Sequence, residues 1–153
     1  MAQESDGVYQ FTNDLGALAL RDPFPAGPVV VSDGTSLPPR WNIKRELDGI
    51  LTIWTELKGR DQRLYMSYAG DPRVGTPLIH TSVPTRWKLL FGSDDFHMIL
   101  AVPADLLAPG DKDGLAIDVG SSRSYPIATE LKRLDVASDT QNWIMQSLTW
   151  GYK

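Results

Sequence analysis

An all-β chain with an internal threefold repeat is what the sequence predicts, and three observations predict it. No stretch of the 153 residues sustains a helical period; short alternating or β-branched runs recur instead, bounded by Gly, Pro, Asp and Ser. Three of those runs open on a proline, Pro28 in "PVVV", Pro77 in "PLIH" and Pro126 in "PIAT", at two equal intervals of 49 residues. Each is followed by a run opening on a tryptophan: Trp41 in "RWNIK", Trp87 in "RWKLL" and Trp143 in "NWIMQ". With two further runs before each proline, the order is four strands, three times, in units of about 7–47, 48–93 and 94–148. Twelve strands in a single domain, 1–153, suit a β-trefoil, in which six strands form a barrel and six form hairpins capping one end.

The elements follow in order within each unit. "GVYQF", "GILTI" and "FHMIL" come first, and the two-residue period of a strand puts Tyr9, Phe11, Leu51, Ile53, Met98 and Leu100 toward the barrel interior as its layers. "ALALR", "RLYMS" and "GLAID" come second. The third runs begin at their prolines because proline has no N–H for a ladder and is tolerated at the first residue of a strand. The fourth place Trp41, Trp87 and Trp143 as equivalent core wedges, each indole N–H needing a buried acceptor. Between the second and third runs of the first unit lies "DPFPAGP", with three prolines in seven positions, a loop stiffened rather than merely turned. Its counterparts are "GDPRVGT" and "SSRSY". The closing "SLTWGYK" leaves Trp150 and Tyr152 beyond the last predicted strand.

Composition bounds the function. A net charge of −4 without clustered Lys and Arg argues against a nucleic-acid surface. With no cysteine there is no disulfide framework, thiolate metal site or cysteine nucleophile, and His80 and His97 lack metal-ligand spacing, so no metal or cofactor is expected. "MAQESDGVYQ" lacks the basic start and apolar core of a secretory signal, and no run approaches the ~20 apolar residues of a membrane span. The expectation is a cytoplasmic protein without membrane partners. G-x-S-x-G, H-E-x-x-H and G-x-x-x-x-G-K are all absent, and the acid pairs Asp94–Asp95 and Asp111–Asp113 fall in turn-like sequence. No enzyme is expected.

"DGVYQF", "RDPFPAGPVVV" leading to "PPRWNI", "VPTRWKL", "FHMILAV" and "YPIATELKRL" together resemble the cysteine-free β-trefoil protease inhibitors of mushrooms, and especially the small serine protease inhibitors. The mushroom cysteine protease inhibitors, or mycocypins, are more distant. The resemblance spans nearly the whole chain and implies a fungal defence protein that blocks a trypsin-like or chymotrypsin-like enzyme with a rigid surface loop. "DPFPAGP" departs from the charged Asp-Arg-Ser type loop such inhibitors tend to carry before the third strand. It offers Phe24 for a chymotrypsin-like pocket, although Pro25 follows, and Ala26 for a small one. Lys58 and Arg60 in "TELKGRDQR", and Lys132 and Arg133 in "ELKRLDVASDTQ", would suit an acidic trypsin-like pocket; the last pair is preferred because its loop is long.

A second reading is a sugar-binding module. In the third unit "GLAIDVGSS" followed by "TQNW" resembles the ricin-type lectin pattern, with Asp118 at the position that takes sugar hydroxyls and Gln141 opening a Q-x-W that ends at Trp143. The same positions before the other tryptophans read "PRW" and "TRW", so a glycan partner would bind the third unit. The pattern lacks an aromatic platform around "ATELKRL", and Thr140 stands where an asparagine is expected.

Overall fold

A computed structural model describes residues 5–21, 27–33, 40–56, 62–122 and 124–148. In the first unit the strands are β1 (Gly7–Asn13), β2 (Gly16–Leu20), β3 (Val29–Ser32) and β4 (Trp41–Arg45). The second has β5 (Ile50–Glu56), β6 (Arg63–Tyr68), β7 (Leu78–Thr81) and β8 (Trp87–Phe91). The third has β9 (His97–Ala101), β10 (Leu115–Val119), β11 (Ile127–Arg133) and β12 (Trp143–Ser147). Each lies where an alternating or β-branched run predicts it. The chain is a β-trefoil of twelve strands.

The first and last strands of each unit close a ring, β1–β4–β5–β8–β9–β12 and back to β1, antiparallel throughout. Closure removes the free edges that an open sheet would expose. The middle strands form three hairpins, β2–β3, β6–β7 and β10–β11. These join around the axis: Pro28 bridges Ile79, Pro77 bridges Glu130, and Ile127 pairs with Val31.

Inside the ring, Phe11, Ile53 and Leu100 form one fully buried layer. The layer nearer the open rim is less uniform. Leu51 is buried, while Tyr9 is half-buried against the core. Met98, expected as a core residue, is half-buried and outside the core cluster. It pairs with Phe91, the last residue of β8, which is 72% exposed, so Met98 sits where the barrel opens to solvent.

The three tryptophans occupy one environment. Each is fully buried, and each indole N–H donates to a carbonyl at the centre of the second strand of its own unit: Trp41 to Leu18 at 3.1 Å, Trp87 to Met66 at 2.9 Å and Trp143 to Ile117 at 3.4 Å. The wedge thereby joins barrel to cap in every unit. The equally spaced prolines obey the symmetry only twice. Val29 pairs with Leu20 and Leu78 with Tyr68, each one residue after its proline, whereas in the third unit Thr129 takes that place opposite Val119. Ala128, not Pro126, is therefore the counterpart of Pro28 and Pro77. The reason is that β11 has seven residues where β3 and β7 have four, so it starts earlier relative to the axis.

Replacing any one tryptophan by phenylalanine keeps an aromatic wedge and strands a buried carbonyl. Trp41→Phe, Trp87→Phe and Trp143→Phe should each lower the unfolding free energy by at least about 1–3 kcal/mol, the penalty of an unsatisfied buried acceptor. Urea titrations of the three variants check this, and the symmetry predicts similar losses.

Candidate functional site

The wedge at Trp143 fixes the local geometry of the third unit. Because Ile117 gives its carbonyl to the indole and its side chain to the core, the next residue, Asp118, faces outward. Strand pairing sets Glu130 directly opposite it and Ala116 opposite Lys132, so Asp118, Glu130 and Lys132 share the outer face of the β10–β11 hairpin. Two residues before Trp143, Gln141 comes up beside Asp118. These four, with Arg133, Leu134, Asp135, Ser138 and Val74, line an open groove of about 580 Å³.

Gln141, only 2% exposed, is held at every functional atom. Its Nε2 donates to Asp118 Oδ2 at 3.1 Å and to the Arg133 carbonyl at 2.8 Å, while its Oε1 accepts from the Asp135 N–H at 2.9 Å. Both amide protons are in use, so Gln141 positions the groove rather than offering a donor to a ligand. Asp118, 4% exposed on the floor, also accepts from the Val119 N–H at 2.6 Å through Oδ1. Each carboxylate oxygen retains a further lone pair. Among the described residues Glu130, Lys132 and Arg133 form no ion pair with one another or with Asp118.

The adjacent residue, Asn142, faces the other way and locks the loop behind the groove. Its Nδ2 donates to the Val136 and Ser138 carbonyls at 2.9 and 2.7 Å, and its Oδ1 accepts from the Ser93 N–H at 2.7 Å. Gly92 makes room for it, since a Cβ there would lie 1.9 Å from that oxygen. The loop 134–140 is thus clamped from both sides by two consecutive side chains.

The other units carry the same positions with different chemistry. The residue after the tryptophan-bonded carbonyl is Ala19 in the first unit and Ser67 in the second; two residues before the tryptophan stand Pro39, outside the described residues, and Thr85. Thr85 and Ser67 keep the contact, hydroxyl to hydroxyl at 2.7 Å. Beside them Arg86 reaches Asp105 at 2.8 Å and holds that carboxyl below its ordinary range, while burial pushes the neighbouring Tyr68 hydroxyl up. The carboxylate-amide pair belongs to the third unit.

Lys132 and Arg133, expected in a long loop, are the last residues of β11, paired with Ala116 and Leu115. The strand runs on because the ladder with β10 continues to Leu115 and Arg133, and Gln141 closes the Arg133 carbonyl at its end. Phe24 and Ala26, Lys58 and Arg60, and Trp150 and Tyr152 lie outside the described residues. Sequence reasoning missed Glu130 and Val74. Strand alternation from Lys132 could have found Glu130; Val74 carries no sequence signal, being 44 positions before Asp118. Asp94, one of the turn acids, accepts from the His97 ring and from the Phe96 and His97 N–H groups, which hold its carboxyl below the usual range. Among the described residues no group of three or more His, Asp or Glu side chains could hold a metal ion, and no helix is long and apolar enough to cross a membrane.

No family model matches the chain, and no curated protein matches it. Solved structures do. A designed threefold-symmetric protein, ThreeFoil, superposes with a TM-score of 0.74 at 18% identity over 94% of this chain and 100% of its own. The Macrolepiota procera ricin B-like lectin in complex with lactose gives 0.72 at 15% identity, over 95% and 99% of the two chains. The Rhizoctonia solani agglutinin gives 0.70 at 12%, over 96% and 98%. At these identities the likeness establishes the β-trefoil fold.

Gln141→Ala should leave Asp118, the Arg133 carbonyl and the Asp135 N–H each short of a partner. The expected cost is about 1–3 kcal/mol, from the buried Asp118 carboxylate, since Arg133 and Asp135 are exposed and water can replace the amide there. Amide hydrogen exchange should quicken across 133–141 and stay unchanged in β1 and β5, which a peptide-resolved exchange experiment reads.

Proposed function

We propose that the protein is a carbohydrate-binding β-trefoil that takes a saccharide in the groove of its third unit. The observation that carries this reading is the Asp118 carboxylate, held on the groove floor by Gln141 beside Glu130 and Lys132, which form no ion pair among the described residues, in one unit of three. Adjacent carboxylate acceptors and an ammonium donor match the alternating acceptor and donor needs of neighbouring sugar hydroxyls, which both give and take hydrogen bonds. The likeness of the fold to a ricin B-like lectin seen with lactose, and to an agglutinin, supports the same reading. A binding module without catalysis follows from it.

The protease-inhibitor reading rests on the sequence resemblance. Its preferred residues, Lys132 and Arg133, are committed to the β10–β11 ladder, where an inhibitory segment must be free to extend into a protease cleft. Carbohydrate binding is therefore the stronger proposal.

A glycan array run beside inhibition of trypsin, chymotrypsin, subtilisin, papain and legumain tests it. The expected result is a defined set of glycan hits without inhibition. Asp118→Asn, which keeps the side chain's shape and one acceptor for Gln141 but sets its amide nitrogen against the Val119 N–H, should weaken those hits at least about tenfold by removing the charged acceptor. Inhibition of a protease with no glycan signal would reverse the order of the two readings.

A further inference from the structure

We infer that the groove is completed by the neighbouring unit: Val74, on the loop joining β6 to β7, is the wall against which the apolar edge of a pyranose packs while Asp118 takes its hydroxyls. This rests on the carbohydrate reading and adds a specificity-determining residue to it. Of the described groove residues, Val74 alone comes from the second unit. It is 51% exposed and belongs to neither core cluster, so its side chain is open to the groove.

Its backbone is fixed where the groove needs it. The Gly75 N–H donates to the Leu131 carbonyl at 2.7 Å, and the Leu131 N–H donates to the Thr76 carbonyl at 2.9 Å. These opposed bonds attach the loop to the centre of β11, on either side of which Glu130 and Lys132 face the groove. The Thr76 hydroxyl ties the loop to itself, accepting from the Arg73 N–H and donating to the Asp71 carbonyl. Gly75, at φ +90°, makes the turn in a conformation that L side chains rarely adopt. The loop is thus hydrogen-bonded to the third unit as well as to its own.

A saccharide site combines a few convergent polar groups with apolar surface for the C–H face of the ring. Among the described residues that line the groove none is aromatic, and Val74 and Leu134 are the aliphatic ones. An aliphatic wall covers less of a ring than an indole and presents no π face, so enlarging it should strengthen binding.

The test compares variants on the same glycan array, with lactose as soluble competitor, alongside their melting temperatures. Val74→Asp should weaken the parent's glycan hits at least about tenfold, Val74→Ile should retain them within about twofold, and Val74→Trp should strengthen them, a tenfold change being about 1.4 kcal/mol. Because the side chain is half exposed, melting temperatures should stay level across the series. Unchanged hits for Val74→Asp, or hits lost only together with a lowered melting temperature, would overturn the inference. If Asp118→Asn still abolished the hits in that case, the carbohydrate reading would stand without it. A parent that binds no arrayed glycan would remove both.

Discussion

Three hydrogen bonds, from a buried indole in the last strand of each unit to the central carbonyl of its second strand, set the register on which everything else depends. A closed barrel of six strands has little freedom once its layers are packed, and the hairpins above it must be joined to it without leaving buried polar groups unpaired. The tryptophan does both, filling the junction with its ring and closing one main-chain acceptor with its N–H. The same bond then dictates chemistry outside the core. Whatever residue follows the bonded carbonyl must turn away from the barrel core, and in the second and third units the residue two before the tryptophan meets it there, Thr85 at Ser67 and Gln141 at Asp118. The position after the carbonyl thus changes from Ala19 through Ser67 to Asp118 around the axis.

The strands were legible in the sequence because all twelve follow local alternation or β-branching, and the wedges because three tryptophans recur at one place in the order. Spacing was a weaker guide than hydrogen-bond register. Pro126 lies 49 residues after Pro77, yet β11 extends toward its start and moves Ala128 into the equivalent place. Met98 alternates as a core residue should, but alternation says nothing of depth along a barrel axis, and Met98 lies at the open rim next to an exposed Phe91. Charge likewise reads as loop when the contacts that order it are remote. Lys132 and Arg133 are in a strand because they pair with Ala116 and Leu115, and Gln141, eight residues beyond Arg133, closes the end of that ladder at the Arg133 carbonyl.

At the groove, Asp118 and Gln141 could be read from one unit because the tryptophan marks their positions. The walls could not. Val74 arrives through a loop of another unit, carried by two main-chain bonds to Leu131 that no side-chain pattern encodes. The rigidity of the site has the same origin. Gln141 and Asn142, adjacent in sequence and opposite in direction, leave the loop 134–140 clamped between β10 on one side and the turn at Ser93 on the other. A groove whose polar floor is already hydrogen-bonded need not reorganise to receive a ligand, which lowers the entropy cost of binding.

The most direct measurement of the central claim is a titration of the isotopically labelled protein with a saccharide that the glycan array returns, followed by amide and methyl chemical shifts. The account predicts perturbations gathered at Val74, Asp118, Glu130, Lys132 and Leu134, with the corresponding positions of the first unit, Ala19 and its neighbours, unmoved. Shifts gathered on another face, or spread equally over the three units, would contradict it.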